Sequence, residues 1–322
     1  MKNILVTGAA GFIGYHLSLY LKKMGNFVIG LDNFNSYYLP SLKKDREKKL
    51  LEKNISVIHG DLQDQKLLEE ILEEHKITHV VHLAAQAGVR HSLKHPEDYI
   101  SSNITGFVSL LEALKQKPSI KLVFASSSSV YGLTDSTQFH EQDSTDLPTN
   151  LYGATKKANE ALAFSYHHLY KIPMVGLRYF TAYGPWGRPD MAYFRFTKNI
   201  LNNEPIPVFN HGNMRRDFTY IDDIAEGTAN ALDIDVNFEI FNLGNNKPSS
   251  VLEMIEILEN LLNKKAIKEM LPFQPGEMQS TCADITKSQK ILHYFPKTPL
   301  DQGLKEFTTW YTEYSPNLLA LS

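Results

Sequence analysis

The sequence predicts an α/β protein built on a doubly wound parallel sheet, and three observations predict it. First, a short β-branched segment, 2–7, leads through the glycine-rich turn 8–14 into an amphipathic segment, 15–23. Second, apolar runs alternate with helical patterns through the first 180 residues, which is typical of a parallel sheet covered on both faces. Third, small and polar residues follow several of these runs, at the edge where such sheets bind ligands. Together these features favour a Rossmann-type fold.

The regular alternation weakens after residue 180, which indicates a second part of the chain. We predict a Rossmann-type domain in 1–180 and a smaller C-terminal α/β substrate domain in 181–322. Residues 221–245 are predicted to return to the first domain. The remaining predicted strands are 27–31, 56–58, 79–83, 121–125, 174–179 and 239–243. The predicted helices are 66–74, 97–114, 150–170, 193–201, 222–232, 251–262 and 300–311, with a loop and then a charged helix between 33 and 53.

Composition excludes several classes of protein. The 322 residues are 43% hydrophobic and 21% charged, as in an ordinary globular protein. The net charge of −3 gives no reason to expect a nucleic-acid or membrane surface. A single cysteine, Cys282, excludes an internal disulfide and a cysteine zinc cage and fits a reducing compartment. No signal peptide and no apolar run of roughly 20 residues is recognised. We therefore expect a cytoplasmic protein with no membrane partner, no nucleic-acid partner and no metal site.

The glycine turn has the spacing G-x-x-G-x-x-G, with Gly8, Gly11 and Gly14. Glycine lets a phosphate approach the backbone closely, because no Cβ stands in the way. The helix that follows offers free N–H donors and the positive end of its dipole. This indicates a dinucleotide site of the short-chain dehydrogenase type. The alternative is an ordinary glycine-rich turn that binds no ligand.

Asp32 ends the second predicted strand, 18 residues after Gly14. A carboxylate at this point of a βαβ unit can accept hydrogen bonds from an adenosine ribose. It would repel a 2′-phosphate, so NAD is favoured over NADP. The alternative for Asp32 is a turn cap before Asn33. Asp61, which follows the third strand, is predicted either to accept from an adenine amino group or to cap the next helix.

Small and polar residues follow the fourth and fifth strands. Ala84 and Ala85 come directly after one of them and leave room for a cofactor. The run 126–129 consists of four serines. Their hydroxyls could bind a substrate, or they could form the polar start of a loop. Asn103 lies within the apolar helix 97–114 and is either a hydrogen-bonded core residue or a group that orders the active site.

Tyr152 and Lys156 are four residues apart in a predicted helix, so they share one face. An ammonium beside a phenol favours the phenolate, so Lys156 is expected to lower the pKa of Tyr152. The same lysine can hold a nicotinamide ribose. Such a pair alone is weak evidence, but behind a serine cluster and a glycine turn it indicates an active site.

At this point the chain resembles an extended short-chain dehydrogenase/reductase, and within that superfamily an NAD-dependent nucleotide-sugar epimerase. The glycine turn, the segment 127–132, the Tyr152/Lys156 pair and 178–180 carry this resemblance. The segments 32–38, 84–90 and 183–192 are similar to UDP-glucuronate 4-epimerases in particular. The resemblance covers nearly the whole length of the chain.

The resemblance implies NAD-dependent epimerisation at C4 of a UDP-sugar, most readily UDP-glucuronate to UDP-galacturonate, through a transient 4-keto intermediate. It implies that Tyr152 is the proton acceptor, that Ser127 steadies the reacting oxygen, and that Lys156 assists both tyrosine and cofactor. The implied cofactor residues are Gly8, Gly11, Phe12, Ile13, Gly14, Asp32, Asn33, Asp61, Leu62, Leu83, Ala84, Ala85, Asn103, Tyr152, Lys156 and Tyr179. The implied substrate residues are Arg90, Ser127, Ser128, Ser129, Tyr152, Thr181, Arg188, Arg216 and Glu277.

The uronate demands more of the site, because its 4-keto form is a β-keto acid that loses carbon dioxide readily. Ser128, Ser129, Thr181 and Arg188 are the candidates to hold the carboxylate, and an ion pair with Asp190 is the alternative for Arg188. The alternative functions are a UDP-glucose or other UDP-hexose 4-epimerase and a non-catalytic NAD(H)-binding protein. The resemblance also implies a homodimer, built on the helices 97–114 and 150–170, and a role in making polysaccharide precursors.

Overall fold

The computed structural model describes residues 1–134, 136–273 and 278–319, with only the backbone considered for 315–319. Its strands are β1 (Asn3–Thr7), β2 (Phe27–Asp32), β3 (Val57–His59), β4 (His79–His82), β5 (Lys121–Ser127), β6 (Met174–Tyr179), β7 (Thr181–Tyr183), β8 (Pro205–Val208), β9 (Arg215–Arg216), β10 (Phe218–Tyr220), β11 (Phe238–Leu243), β12 (Ser249–Ser250) and β13 (Ile267–Met270). Seven of them form one parallel sheet in the order β11-β6-β5-β4-β1-β2-β3. The predicted fold class, a doubly wound parallel sheet, is confirmed.

Helices cover both faces of this sheet. They are α1 (Phe12–Lys23), α2 (Pro40–Leu51), α3 (Gln65–Glu74), α4 (Val89–Ser92), α5 (Pro96–Tyr99), α6 (Gly106–Lys115), α7 (Leu151–Tyr170), α8 (Ala192–Asn202), α9 (Ile221–Asn230), α10 (Val251–Leu262), α11 (Thr286–Leu292) and α12 (Leu300–Leu319). Side chains alternate between the faces of a strand, so Ile4 and Val6 join the core under α1 and α9. Leu5 between them joins the core under α3, α6 and α7. This alternation places a layer of buried apolar side chains on each face of the sheet.

The helix predicted over 97–114 is helical throughout but irregular. A π-helical turn, Ile100–Thr105, separates α5 from α6. Within that turn the carbonyl of Asn103 accepts a hydrogen bond from Asn159 Nδ2 on α7, at 2.6 Å. Local apolar periodicity did not indicate this irregularity or the contact with the distant helix α7.

Beyond residue 180 the chain adds three small two-stranded sheets, β7-β10, β9-β12 and β8-β13. These six strands are two to four residues long, too short to give a periodic signal, and the sequence did not predict them. The chain also returns to the large sheet, where α9 packs against α1 and β11 pairs with β6. The core on the α1 and α9 side of the sheet contains residues from both parts of the chain, from Ile4 to Tyr311. The division into domains at residue 180 stays a prediction.

The described part of the chain contains no helix with the length and apolar character that crossing a bilayer requires.

Candidate active site

A cleft lies at the carboxyl ends of β1 to β6, and it gathers most of the residues singled out from the sequence. The predicted residues that line it are Gly8, Gly11, Phe12, Ile13, Gly14, Asp32, Asn33, Asp61, Leu62, Leu83, Ala84, Ala85, Ser127, Tyr152, Lys156, Tyr179, Thr181 and Arg188. They come from segments up to 180 residues apart in sequence, and they converge because parallel strands present all their carboxyl ends at one edge.

The glycine turn is tightly packed, and two of its glycines are required by that packing. Gly8 has a φ of +71°, and a Cβ there would lie 2.8 Å from the backbone nitrogen of Ala84. A Cβ on Gly14 would lie 2.1 Å from the carbonyl oxygen of Gly8. The turn therefore keeps bare backbone at the N-terminus of α1, which is the arrangement that binds phosphate.

Asp32 is buried at the end of β2, where its carboxylate accepts two backbone hydrogen bonds. Oδ2 accepts from the N–H of Ala10 at 3.0 Å, and Oδ1 accepts from the N–H of Phe34 at 2.8 Å. The turn-capping alternative is thus present in the structure. Each carboxylate oxygen can accept more than one bond, so the cap leaves acceptor capacity on the side that lines the cleft.

Asp61 does not cap the helix that follows it, because Asp64 does so by accepting from the N–H of Leu67 at 3.0 Å. Asp61 instead accepts from Asn33 Nδ2 at 2.8 Å and from the N–H of Gln63 at 2.9 Å. Burial favours a higher pKa for Asp61, but these hydrogen bonds outweigh it and lower the pKa. The result is a charged carboxylate at the rim of the cleft.

Lys43, Asn35 and Gln86 also line the cleft, and the sequence assigned none of them to the site, although Asn35 and Gln86 lie in the segments 32–38 and 84–90 that carry the resemblance. Lys43 is only 5% exposed, and its Nζ donates to Asn35 Oδ1 at 2.7 Å. Burial lowers its pKa, and the charge of Asp32 partly opposes that lowering. Gln86 Nε2 is buried and has no hydrogen-bond partner among the described residues. A buried cation and an unsatisfied amide donor at one site suit an anionic ligand. For Lys43 the signal in the sequence was only its place early in a charged helix.

Tyr152 and Lys156 lie in the first two turns of α7, beside Ser127 at the end of β5. Burial raises the pKa of Tyr152, while a hydrogen bond with Ser127 and the charge of Arg188 lower it only in part. Lys156 is 1% exposed, its Nζ donates to the carbonyl of Ala125 at 2.8 Å, and burial lowers its pKa to about 8. The pKa of Tyr152 is therefore raised and not lowered as expected, because desolvation of the buried phenol outweighs the groups that lower it.

A buried ion pair fixes α7 against the sheet one turn beyond Lys156. Glu160 Oε1 accepts from Arg178 Nε at 2.8 Å, and Oε2 accepts from Nη2 at 2.9 Å. Ser126 Oγ donates to the same carboxylate at 2.6 Å. Because Ser126 precedes Ser127 on β5 and Glu160 follows Lys156 on α7, this network sets the separation of the two elements that carry the candidate catalytic groups.

Arg188 lines the cleft, but it also forms the ion pair that was its alternative role. Its Nε lies 3.0 Å from Asp190 Oδ1, and its Nη2 lies 2.6 Å from Asp190 Oδ2. Tyr37 donates to the same carboxylate at 3.1 Å. Burial favours a higher pKa for Asp190, but Arg188 and Tyr37 together lower it. The guanidinium is therefore oriented by a charged partner.

The remaining predicted residues lie away from the lining of the cleft or outside the described chain. Asn103 is buried, accepts from the N–H of Gln86 at 2.8 Å, and donates to Thr155 Oγ1 at 3.0 Å. The guanidinium of Arg90 stacks on the ring of Phe209 at 4.3 Å. The other predicted substrate residues outside the lining are Ser128 and Ser129, on a 3₁₀ turn, and Arg216, which donates to the carbonyl of Arg215 at 2.9 Å. Glu277 lies outside the described residues.

Comparison with known proteins gives one consistent answer. Residues 4–244 match the family described as "NAD dependent epimerase/dehydratase family". UDP-glucuronate 4-epimerase 3 of Arabidopsis thaliana is 48% identical over 330 residues, covering 97% of this chain and 77% of that protein. An uncharacterized protein of Methanocaldococcus jannaschii is 50% identical over 325 residues, covering 99% of each chain.

The fold matches a solved enzyme over almost its whole length. The crystal structure of UDP-glucuronic acid 4-epimerase from Bacillus cereus, in complex with UDP-glucuronic acid and NAD, superposes with a TM-score of 0.91 at 40% identity. The match covers 97% of this chain and 99% of the other. The chain therefore belongs to the NAD dependent epimerase/dehydratase family, as the glycine turn and the Tyr152/Lys156 pair had indicated.

Proposed function

We propose that this chain is an NAD-dependent UDP-glucuronate 4-epimerase, which interconverts UDP-glucuronate and UDP-galacturonate through a transient 4-keto intermediate. The observation that carries the proposal is that Tyr152, Lys156 and Ser127 share one cleft with the glycine turn and Asp32. A binding module would have no need of a buried lysine and a phenol beside a nucleotide site. Relatives named UDP-glucuronate 4-epimerase, 48% identical over 97% of this chain, support the choice of substrate.

The cleft has the chemistry that NAD requires. The bare backbone at Gly8 and Gly14 leaves room for a pyrophosphate. Lys43 and the unsatisfied Gln86 Nε2 add positive charge and a donor for anionic groups in the cleft. Asp32 would accept from the adenosine ribose, and Asp61 from the adenine amino group. When bound, oxidised NAD supplies a hydride acceptor for the sugar C4 and a positive charge.

The residues of this chain would perform the proton transfers. Tyr152 accepts the proton of the sugar 4-hydroxyl, so it must reach the phenolate form against the effect of its burial. The hydrogen bond with Ser127 and the charge of Arg188 both favour that form. Ser127 also donates to the reacting oxygen as charge develops on it. Lys156 would hold the cofactor ribose, and the Glu160–Arg178 pair keeps α7 in place.

We propose Thr181 and Arg188 as the carboxylate clamp. Asp190 engages Nε and Nη2 of Arg188, which leaves the Nη1 side of the guanidinium to meet a substrate carboxylate. Held in this way, the carboxylate cannot align its breaking bond with the 4-keto group, and carbon dioxide is retained. Ser128 and Ser129 do not line the cleft, so they take no part in the clamp proposed here. Arg90, Arg216 and Glu277 stay as proposed contacts to the rest of the UDP-sugar.

A direct assay separates this proposal from its alternatives. Purified protein is incubated in parallel with UDP-glucuronate and UDP-glucose, and the products are separated by chromatography. We expect UDP-galacturonate from the first and little UDP-galactose from the second. Faster conversion of UDP-glucose would favour a UDP-hexose epimerase, and no conversion of either sugar would favour a non-catalytic NAD(H)-binding protein.

We also propose the compartment of the protein, the use of its product and its oligomeric state. The single cysteine fits a reducing, cytoplasmic compartment. UDP-galacturonate made there would serve as a precursor for acidic polysaccharide. A homodimer is proposed, in which α6 and α7 of one protomer pack against the same helices of its partner.

A further inference from the structure

His91, His95 and Asp98 bring two imidazole rings and one carboxylate together beside the cleft. His91 is in α4, His95 directly precedes α5, and Asp98 is in α5. The N–H of His95 donates to the carbonyl of His91 at 3.0 Å, so the turn sets the two rings on one side. The ring centroids are 4.4 Å apart, and His91 Nε2 lies 3.3 Å from Asp98 Oδ2.

We propose that these three residues form a binding site for a divalent transition metal of the zinc class. One ligand atom from each lies within 4.8 Å of the other two. A tetrahedral zinc ion with bonds of about 2.0–2.2 Å needs its ligands roughly 3.4 Å apart. His95 and Asp98 are exposed, so their side chains can close the remaining distance without disturbing a core. No second group of this kind occurs within residues 1–134, 136–273 and 278–319.

The donor set favours one class of metal. Two imidazoles and one carboxylate suit zinc, nickel, copper or iron(II), whereas magnesium and calcium prefer an all-oxygen shell. Three protein ligands leave at least one coordination position open to water. The metal would displace a proton where an imidazole nitrogen now carries one.

The position of the site gives the metal a structural effect. A bound ion would tie α4 to α5, and two tyrosines connect the cluster to the cleft, one that lines it and one that packs beside a lining residue. The ring of Tyr37, which lines the cleft, lies 4.6 Å from His91. Tyr99, next to Asp98, donates to the carbonyl of Ala87 at 2.9 Å, and its ring lies 6.3 Å from that of Tyr152. The ion would therefore stiffen the rim of the cleft.

The test uses the full chain with its bound cofactor and without an added histidine tag. The protein is equilibrated with zinc chloride, desalted, and analysed for metal by mass spectrometry, with magnesium chloride as a parallel probe. We expect one zinc per chain and no retained magnesium. His95→Asn and Asp98→Asn should each lose most of the zinc, while His168→Asn, which removes an exposed imidazole from α7, should keep it.

A melting curve with and without zinc gives a second readout, because a ligand that binds only the folded chain raises the melting temperature. Zinc should raise it for the wild type and His168→Asn but not for His95→Asn or Asp98→Asn. Both cluster side chains are exposed, so these variants should melt like the wild type without metal. Zinc retained equally by all four proteins, or by none, would overturn the proposal.

Discussion

Arg188 and Asp190 form a bidentate ion pair at the wall of the cleft, with Nε–Oδ1 and Nη2–Oδ2 distances of 3.0 and 2.6 Å. The pair turns one edge of the guanidinium toward Asp190 and holds the arginine in place. An oriented arginine loses less side-chain freedom when it binds an anion. The ion pair with Asp190 is thus compatible with a role for Arg188 in substrate binding.

Arg188→Ala should impair the reaction of UDP-glucuronate far more than that of a neutral UDP-hexose. A hydrogen bond to a charged group contributes about 1.5–3 kcal/mol, so the loss should be roughly 10- to 150-fold. A looser carboxylate should also let the β-keto acid lose carbon dioxide, giving a UDP-4-keto-pentose, whose release leaves the transferred hydride on the enzyme as NADH. Product chromatography and NADH absorbance measure both effects, with Thr181→Ala as the companion variant. Unchanged turnover of UDP-glucuronate in both variants would contradict the proposed carboxylate clamp, and Arg90 would be the next residue to test.

Tyr152→Phe should nearly abolish turnover while leaving the fold and the bound NAD intact, because it removes only the proton acceptor. Tyr170→Phe is the matched control, since Tyr170 is on the same helix but does not line the cleft. Turnover is measured with UDP-glucuronate, and NAD content is measured after denaturation. An active Tyr152→Phe enzyme would falsify the assignment of the proton acceptor.

Lys156→Met should stabilise the folded chain at pH 7 while reducing activity. Burial lowers the Lys156 pKa from 10.5 to about 8, so keeping the ammonium charged in the folded state costs ~3 kcal/mol. The unfolded chain holds the proton up to pH 10.5, so wild-type stability gains from this group as pH rises from about 8 to 10.5. Below pH 8 that gain is absent. Urea unfolding is measured at pH 7 and pH 10, at matched NAD occupancy. The free energy of unfolding of Lys156→Met should exceed that of the wild type by less at pH 10 than at pH 7. A larger difference at pH 10 than at pH 7 would contradict the expected pH dependence.

Asp32→Asn should weaken the preference for NAD over NADP. The asparagine keeps one of the two oxygen acceptors that now bond the N–H groups of Ala10 and Phe34, and it removes the charge that would repel a 2′-phosphate. We expect the wild type to bind NAD more tightly and the variant to narrow the ratio roughly 10-fold or more. Fluorescence titration of each protein with the two cofactors measures the ratio. Equal wild-type affinities would remove Asp32 from its proposed role.

The protein should be a homodimer at micromolar concentration. Phe164 and Leu169 on α7 are 55% and 63% exposed, and a partner would bury such apolar side chains. Light scattering should give twice the mass of one chain, and Phe164→Glu should shift the mass toward one chain. Leu133→Glu alters an exposed leucine outside α6 and α7 and should leave the dimer intact. A wild-type mass of one chain would count against the proposed interface.

The sequence by itself determined the fold class and most of the cleft. Strand runs and helical patterns are local signals, and the parallel arrangement then places every strand's carboxyl end at one edge. The sequence alone could therefore assign to one site Gly8, Asp32, Ser127 and Tyr152. The spacing of Tyr152 and Lys156 put them on one helix face, because that depends only on the helical repeat.

The tertiary structure decided what each side chain meets. Whether Arg188 is paired depends on the backbone course that brings Asp190 to it, and whether Lys43 faces the cleft depends on how α2 docks. The Tyr152 pKa was expected to be lowered, and it is raised. The expectation used only the helical spacing of Lys156, which is local, whereas the burial that raises the pKa is set by the whole fold. Hydrogen bonding and desolvation depend on contacts between distant segments, and the local sequence pattern does not contain those contacts.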